Sequence, residues 1–100
     1  MNNITAVSQI TSQDLVDYLR ISEVTEDETN TLNTLLTVAK DYVAAYTGRT
    51  VEELDNYRDI IIVILILVQD MHDNRTLYVD TNNVNKVVES ILNLHAVNLL

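Results

Sequence analysis

The sequence predicts an all-α fold, a small bundle of four to five helices around one central apolar helix. The 100 residues include no Pro and a single Gly. Because these residue types normally end strands and form hairpin turns, their scarcity argues against an all-β fold. Hydroxyl residues followed three positions later by an acid recur along the chain, a pattern typical of helix N-termini. Apolar residues then follow at intervals of three and four, the spacing of one helix face.

We expect residues 1–100 to form one domain, because a chain of this length supports a single modest core. Residues 1–10 precede the first strong helix signal, so a flexible or extended arm is predicted there. No signal-peptide pattern is visible at the start of the sequence. The longest apolar run, Ile60–Val68, is about half as long as a membrane-spanning helix, so no membrane association is expected.

Two N-terminal signals place the first helices. Thr11-Ser12-Gln13-Asp14 offers a hydroxyl N-cap and an acid three residues later, ahead of the apolar Leu15 and Leu19. Thr25-Glu26-Asp27-Glu28 has the pattern of a full capping box, with three acids in the first turn to complement the helix dipole. The second helix then carries one apolar stripe: Leu32, Leu35, Leu36, Ala39, Tyr42, Val43 and Tyr46.

A helix stop follows at Tyr46-Thr47-Gly48-Arg49. The only glycine of the chain, Gly48, can adopt the left-handed conformation that ends many helices without the penalty a Cβ brings. Thr50 with Glu53 repeats the capping-box pattern, and we expect a short acidic helix at about residues 51–54.

The run Ile60–Val68 is open to two interpretations. It is rich in β-branched residues, which favours a buried strand. A lone strand would leave its backbone groups unpaired, however, and apolar residues continue at helical spacing to Met71. We therefore predict a core helix, starting near Asn56 and Asp59.

An irregular link is predicted at residues 76–81, followed by a last amphipathic helix. Asn82 or Asn83 is its expected N-cap. The predicted buried face consists of Val84, Val87, Val88, Ile91, Leu92 and His95. The apolar tail at residues 97–100 follows.

The composition argues against several classes of function. A formal net charge of −9 opposes affinity for the phosphates of duplex DNA and for anionic membranes. The chain has no Cys and no glycine-rich phosphate loop, and no acid–base–nucleophile set can be assembled, so no enzyme, cofactor or catalytic residue is predicted. Asp70, His72 and Asp73 are close in sequence, but residues two apart do not face each other on a helix, and no His-x-x-x-His pair or further ligand accompanies them. No metal site is therefore predicted.

Two groups of residues remain as candidates for function. The acids Glu23, Glu26, Asp27 and Glu28 form either a solvated helix start or a surface that repels or mimics nucleic acid. The candidate assembly interface comprises Tyr78, Val79 and Asp80 in the link and Val97, Leu99 and Leu100 in the tail. Tyr78 leads this set because tyrosine is enriched at binding hot spots.

The order of several short segments resembles the small head–tail connector, or adaptor, proteins of long-tailed bacteriophages and prophages. These segments are Tyr18-Leu19-Arg20-Ile21, Ala39 to Thr50 with its Tyr46-Thr47-Gly48-Arg49 ending, His72-Asp73-Asn74-Arg75, and Val88-Glu89-Ser90-Ile91-Leu92. Each segment is short and weak as a motif, but together they span nearly the whole chain in a fairly specific order.

The resemblance implies an all-helical subunit that performs no reaction. It assembles into a ring, typically dodecameric, beneath the portal protein, and extends the DNA channel. The ring presents a platform to a downstream connector or tail completion protein. Its implied locations are the host cytoplasm during assembly and then the head–tail junction of the virion. DNA would pass without specific binding. The alternative is an acidic helical interaction module, such as an antirepressor, an antitoxin or a DNA mimic.

Overall fold

The computed structural model describes residues 4–97, and within this range all regular secondary structure is helical. A short 3-10 helix at Val7–Gln9 precedes five α-helices. These are α1 (Ser12–Leu19), α2 (Glu26–Thr47), α3 (Val51–Leu54), α4 (Asp59–Asn74) and α5 (Lys86–His95). The predicted all-α class, with five helices, is confirmed.

Helix α4 is the central element, because it contacts α1, α2, α5 and the 3-10 helix. Its buried residues are Ile60, Ile61, Val63, Ile64, Leu65, Leu67, Val68 and Met71. The β-branched run is thus helical, since burial against several neighbouring helices outweighs its local preference for strand. Two residues of the apolar run are not fully buried, because Ile62 is 51% exposed and Ile66 is half-buried.

The predicted caps of the first three α-helices are present. The Thr11 and Thr50 side chains each accept a hydrogen bond from the third backbone N–H of the helix, and the acids Asp14 and Glu53 complete both capping boxes. Thr25 forms only half of its predicted box: its hydroxyl accepts from the Glu28 N–H at 3.1 Å. The Glu28 carboxylate lies instead 2.9 Å from His72 Nε2 on α4.

Of the predicted start of α4, Asp59 is confirmed and Asn56 is not, and the predicted N-cap of α5 was wrong. The Asn56 side chain donates to the Glu53 carbonyl at 3.2 Å, and α4 begins after Arg58 without a side-chain cap. Helix α5 is capped by Asn85, whose side-chain oxygen accepts from the Val87 N–H at 2.8 Å, rather than by Asn82 or Asn83.

The expected arm is also wrong for the residues that the structure describes. Val7 and Ile10 are buried in the core, and the Ser8 N–H and hydroxyl donate to the Asp55 carboxylate at 2.9 and 2.7 Å. Two buried side chains and two hydrogen bonds fix this segment beside α3, so residues 4–10 belong to the folded body.

Two predicted apolar faces are only partly buried. On α2, Leu32 to Val43 follow the predicted stripe, but Tyr46 is 38% exposed. On α5, Val88 and Leu92 are the buried residues, whereas Val87 is exposed because it lies on another side of the helix.

Candidate assembly surface

The predicted helix stop is present and forms part of a tertiary contact. Helix α2 ends at Thr47 and is capped by Gly48, whose φ of 71° is left-handed as predicted. Buried Thr47 donates its hydroxyl to the Val43 carbonyl at 2.7 Å. The Tyr46 hydroxyl donates to Asn93 Oδ1 on α5 at 2.6 Å, so this motif meets the C-terminal helix.

The same motif holds the segment that follows α5. The Val97 N–H donates to the Thr47 carbonyl at 2.8 Å, and Arg49 Nε donates to the His95 carbonyl at 2.6 Å. A carbonyl at the end of α5 is thereby satisfied by a cation, which also complements the helix dipole. We call this arrangement of Thr47, Gly48, Arg49, His95 and Val97 the C-terminal clasp.

Aromatic and charged groups surround the C-terminal clasp. The His95 ring lies 4.2 Å from the Tyr57 ring, centroid to centroid, and its Nε2 lies 2.8 Å from an Asp59 carboxylate oxygen. The Arg49 guanidinium lies 5.2 Å from the centroid of the same Tyr57 ring. The start of α4 and the end of α5 are therefore joined through side chains that come from both helices and from the loops before and after α3.

The link between α4 and α5 contains three of the predicted interface residues. Tyr78 is 64% exposed, as is its neighbour Leu77 at 61%. Val79 packs against the core instead. The Asp80 carboxylate accepts from the Asn82 N–H at 3.1 Å and from the Asn83 side-chain amide at 2.9 Å, so it organises the turn before α5.

Hydrogen bonding and burial shift the pKa values of two acids near this link in opposite directions. The hydrogen bonds from Asn83 and Asn82 lower the pKa of Asp80. Partial burial, with the nearby negative charge of Asp73, raises the pKa of Asp70 near the end of α4. Asp80 is thus stabilised as a carboxylate by the fold, whereas Asp70 is not.

Helix α5 has a second apolar face that the sequence analysis did not assign to a surface. Val87 is 54% exposed and Leu94 is 78% exposed, while Ile91 between them is half-buried. Their spacing of four and three residues places them on one side of the helix. The signal was present in the sequence as the seven-residue interval from Val87 to Leu94. We call these three residues the α5 apolar stripe.

The remaining predicted site residues divide between surface and interior. Glu23, Glu26 and Asp27 are exposed, as expected of solvated acids. Glu28 does not belong with them, because it is half-buried beside His72. Val97 is 39% exposed, with its backbone held in the C-terminal clasp, and the predicted interface residues Leu99 and Leu100 lie outside the described residues.

The described residues contain no cluster of three or more His, Asp or Glu side chains able to hold a metal ion. No helix between residues 4 and 97 combines the length and the apolar character needed to cross a membrane. Comparisons with protein-family models, curated proteins and solved structures gave no significant match. The candidate assembly surface therefore consists of three parts: the exposed link, the α5 apolar stripe and the C-terminal clasp.

Proposed function

We propose that this protein is a structural subunit of a bacteriophage head–tail connector. In this role it forms a ring below the portal protein, extends the DNA channel and supports attachment of the tail. Its partners are further copies of itself, the portal protein and a downstream connector or tail completion protein. It acts in the host cytoplasm during assembly and then at the head–tail junction.

The observation that carries the proposal is the α5 apolar stripe. Helix α5 buries Val88 and Leu92 in its own domain, yet it also exposes Val87 and Leu94 on another side. The link just before it adds exposed Leu77 and Tyr78. Exposed apolar side chains on one helix face, such as Val87 and Leu94, are a feature of surfaces that bind other proteins, and a subunit of a ring needs such a surface.

The acidic composition supports the same role. With a net charge of −9, copies of this chain repel one another in solution, which favours assembly only where a partner organises the ring. Glu23, Glu26 and Asp27 present exposed carboxylates. A channel lined by such groups lets DNA move without phosphate contacts that would hold it.

The direct test is incorporation into purified, DNA-filled heads that carry a portal. Wild-type protein is expected to sediment with the heads. The variant V87Q/L94Q removes the apolar character of the stripe at exposed helix positions, where Gln keeps a good helix propensity. It should remain folded and fail to sediment with the heads.

The matched control is V24Q, because Val24 is 46% exposed but lies in the loop before α2. This variant should incorporate like the wild type. The proposal is overturned if the wild type is not retained on heads, or if it binds duplex DNA tightly and in a salt-sensitive manner. Stable co-purification with regulatory or DNA-processing proteins instead would favour the acidic interaction module.

A further inference from the structure

A cavity of about 360 Å³ lies between the second half of α4 and the link that connects it to α5. This volume falls at the lower end of the range of about 300–1,000 Å³ that is typical of ligand pockets. Its apolar part is formed by Leu67 and Met71 of α4 and by Val79 and Val84. Leu67 and Met71 are buried, so this part of the cavity is supported by the core.

All charged side chains that line the cavity are acidic. Asp70 and Asp80 line it, together with the uncharged polar residues Asn74, Thr76 and Asn83. No Lys, Arg or His is among its described lining residues. Since each Asp80 oxygen receives a single hydrogen bond from a neutral group, lone pairs remain available for a charged donor.

Tyr78 completes this arrangement, because it lines the same cavity and is 64% exposed. An aromatic face attracts a guanidinium or ammonium group, and a carboxylate binds the planar guanidinium through paired hydrogen bonds. Apolar walls suit the aliphatic stem of such a side chain. Tyr78, Asp70, Asp80 and the apolar walls are therefore complementary to one long basic side chain.

We propose that this cavity binds an arginine side chain presented by a partner protein of different sequence. The inference rests on the proposed function for the identity of that partner, which is the neighbouring component of the connector. The net charge of −9 favours a different, basic partner over a second copy, because two copies repel each other while a basic segment is attracted. Partial burial and Asp73 disfavour a bare charge on Asp70, a condition that a bound cation relieves.

The pocket is tested with the pentapeptide acetyl-Gly-Gly-Arg-Gly-Gly-amide, followed by NMR on the isotopically labelled full-length protein. The matched probe replaces Arg by citrulline, which has nearly the same shape but no charge. We expect saturable shifts at Asp70, Tyr78, Asp80 and the Asn83 side-chain amide. The citrulline peptide should bind about tenfold more weakly, as loss of a charge-assisted contact predicts.

The variant D70N should reduce arginine-peptide affinity by about fivefold, and Y78L should reduce it as well. The control E26Q changes the charge by the same amount at an exposed acid outside the cavity, and its affinity should match the wild type. Three outcomes would each contradict an arginine site in the cavity. They are equal affinity for the two peptides, an equal loss of arginine-peptide affinity in D70N and E26Q, and NMR shifts spread over all exposed acids.

The same variants separate this inference from the proposed function. If wild type, E26Q and D70N all incorporate equally into DNA-filled heads, the connector role stands and the arginine contact is wrong. If the wild type does not incorporate although the peptide binds at the cavity, the pocket stands and its assigned partner is wrong. Selective loss of D70N from heads supports both.

Discussion

The backbone of Val97 is bonded to the backbone of Thr47, with 2.8 Å between the amide nitrogen and the carbonyl oxygen. Fifty residues of chain separate the two positions. Because Thr47 is the last residue of α2 and Val97 follows α5, this bond joins the ends of two helices. The only glycine of the chain, Gly48, follows Thr47 directly and ends α2 with a left-handed backbone.

Replacing Gly48 by Ala is expected to lower the free energy of unfolding by about 1 kcal/mol, the cost of a Cβ in the left-handed region. The added Cβ would lie 3.7 Å from the Val97 Cβ, an ordinary van der Waals distance, so the cost comes from the backbone rather than from a clash. Urea unfolding followed by circular dichroism measures it.

The informative control is G48N, because Asn tolerates the left-handed conformation better than Ala does. G48N should therefore be more stable than G48A. Equal stability of G48A and wild type would contradict a left-handed residue at this position.

Arg49 is expected to contribute to stability through the His95 carbonyl at 2.6 Å. Its contact with Glu53 at 3.6 Å is partly exposed and adds little. The variant R49A should lose roughly 1–2 kcal/mol, as expected for a hydrogen bond from a charged donor. It should also speed hydrogen exchange of the Val97 amide, since the C-terminal clasp is weakened.

R58A serves as the control for R49A, because Arg58 is an exposed arginine close in sequence. Its exchange rate at Val97 should equal that of the wild type. If R58A and R49A behave alike, net charge rather than the bond to His95 explains the effect.

Two arginines end helices in a conformation that glycine adopts more easily. Arg20 after α1 has a φ of 58° and Arg75 after α4 has a φ of 55°. The variant R75G should raise the free energy of unfolding by roughly 0.5 kcal/mol, because relief of left-handed strain exceeds the entropic cost of Gly. The control is R58G, which removes the same charge at a right-handed position (φ −64°) and should not be stabilising. Comparison of the urea midpoints of R75G and R58G tests this, and an equal change in both would contradict relief of left-handed strain.

Local signals predicted the caps of the first three α-helices, whereas competing local hydrogen bonds explain the failures at the last two. Thr11 and Thr50 were identified because each capping box is complete within four residues. Three asparagines compete near α5, and the choice of Asn85 follows from Asp80, which engages both Asn82 and Asn83. Both contacts lie within three residues of Asp80, so a cap pattern that considers only the residues after the asparagine overlooks them.

The segment at residues 4–10 shows a second limit, because its partner Asp55 lies 47 residues from Ser8. Glu28 likewise leaves its predicted capping role for His72, 44 residues away. The helix stop at Gly48 was predicted from the sequence, but its bond to Val97 was not, because the packing of α5 against α2 determines it. The cavity could not be predicted either, because it depends on how the link after α4 folds back against that helix.

The acids Asp70 and Asp80 should respond oppositely to neutralisation. The raised pKa of Asp70 means that its charged form is less favourable in the folded protein than in the unfolded chain, so D70N should unfold at the same or a higher urea concentration at pH 7.

The lowered pKa of Asp80 means that its carboxylate stabilises the fold at pH values above its ordinary pKa of 3.8. D80N should therefore be less stable at pH 7, and this deficit should shrink as the pH falls below about 4 and protonates the wild-type carboxylate. Urea midpoints between pH 7 and pH 3 measure both effects, with E26Q as the exposed control. A deficit in D80N that is independent of pH would show that the side-chain amide, not the loss of charge, disturbs the turn before α5.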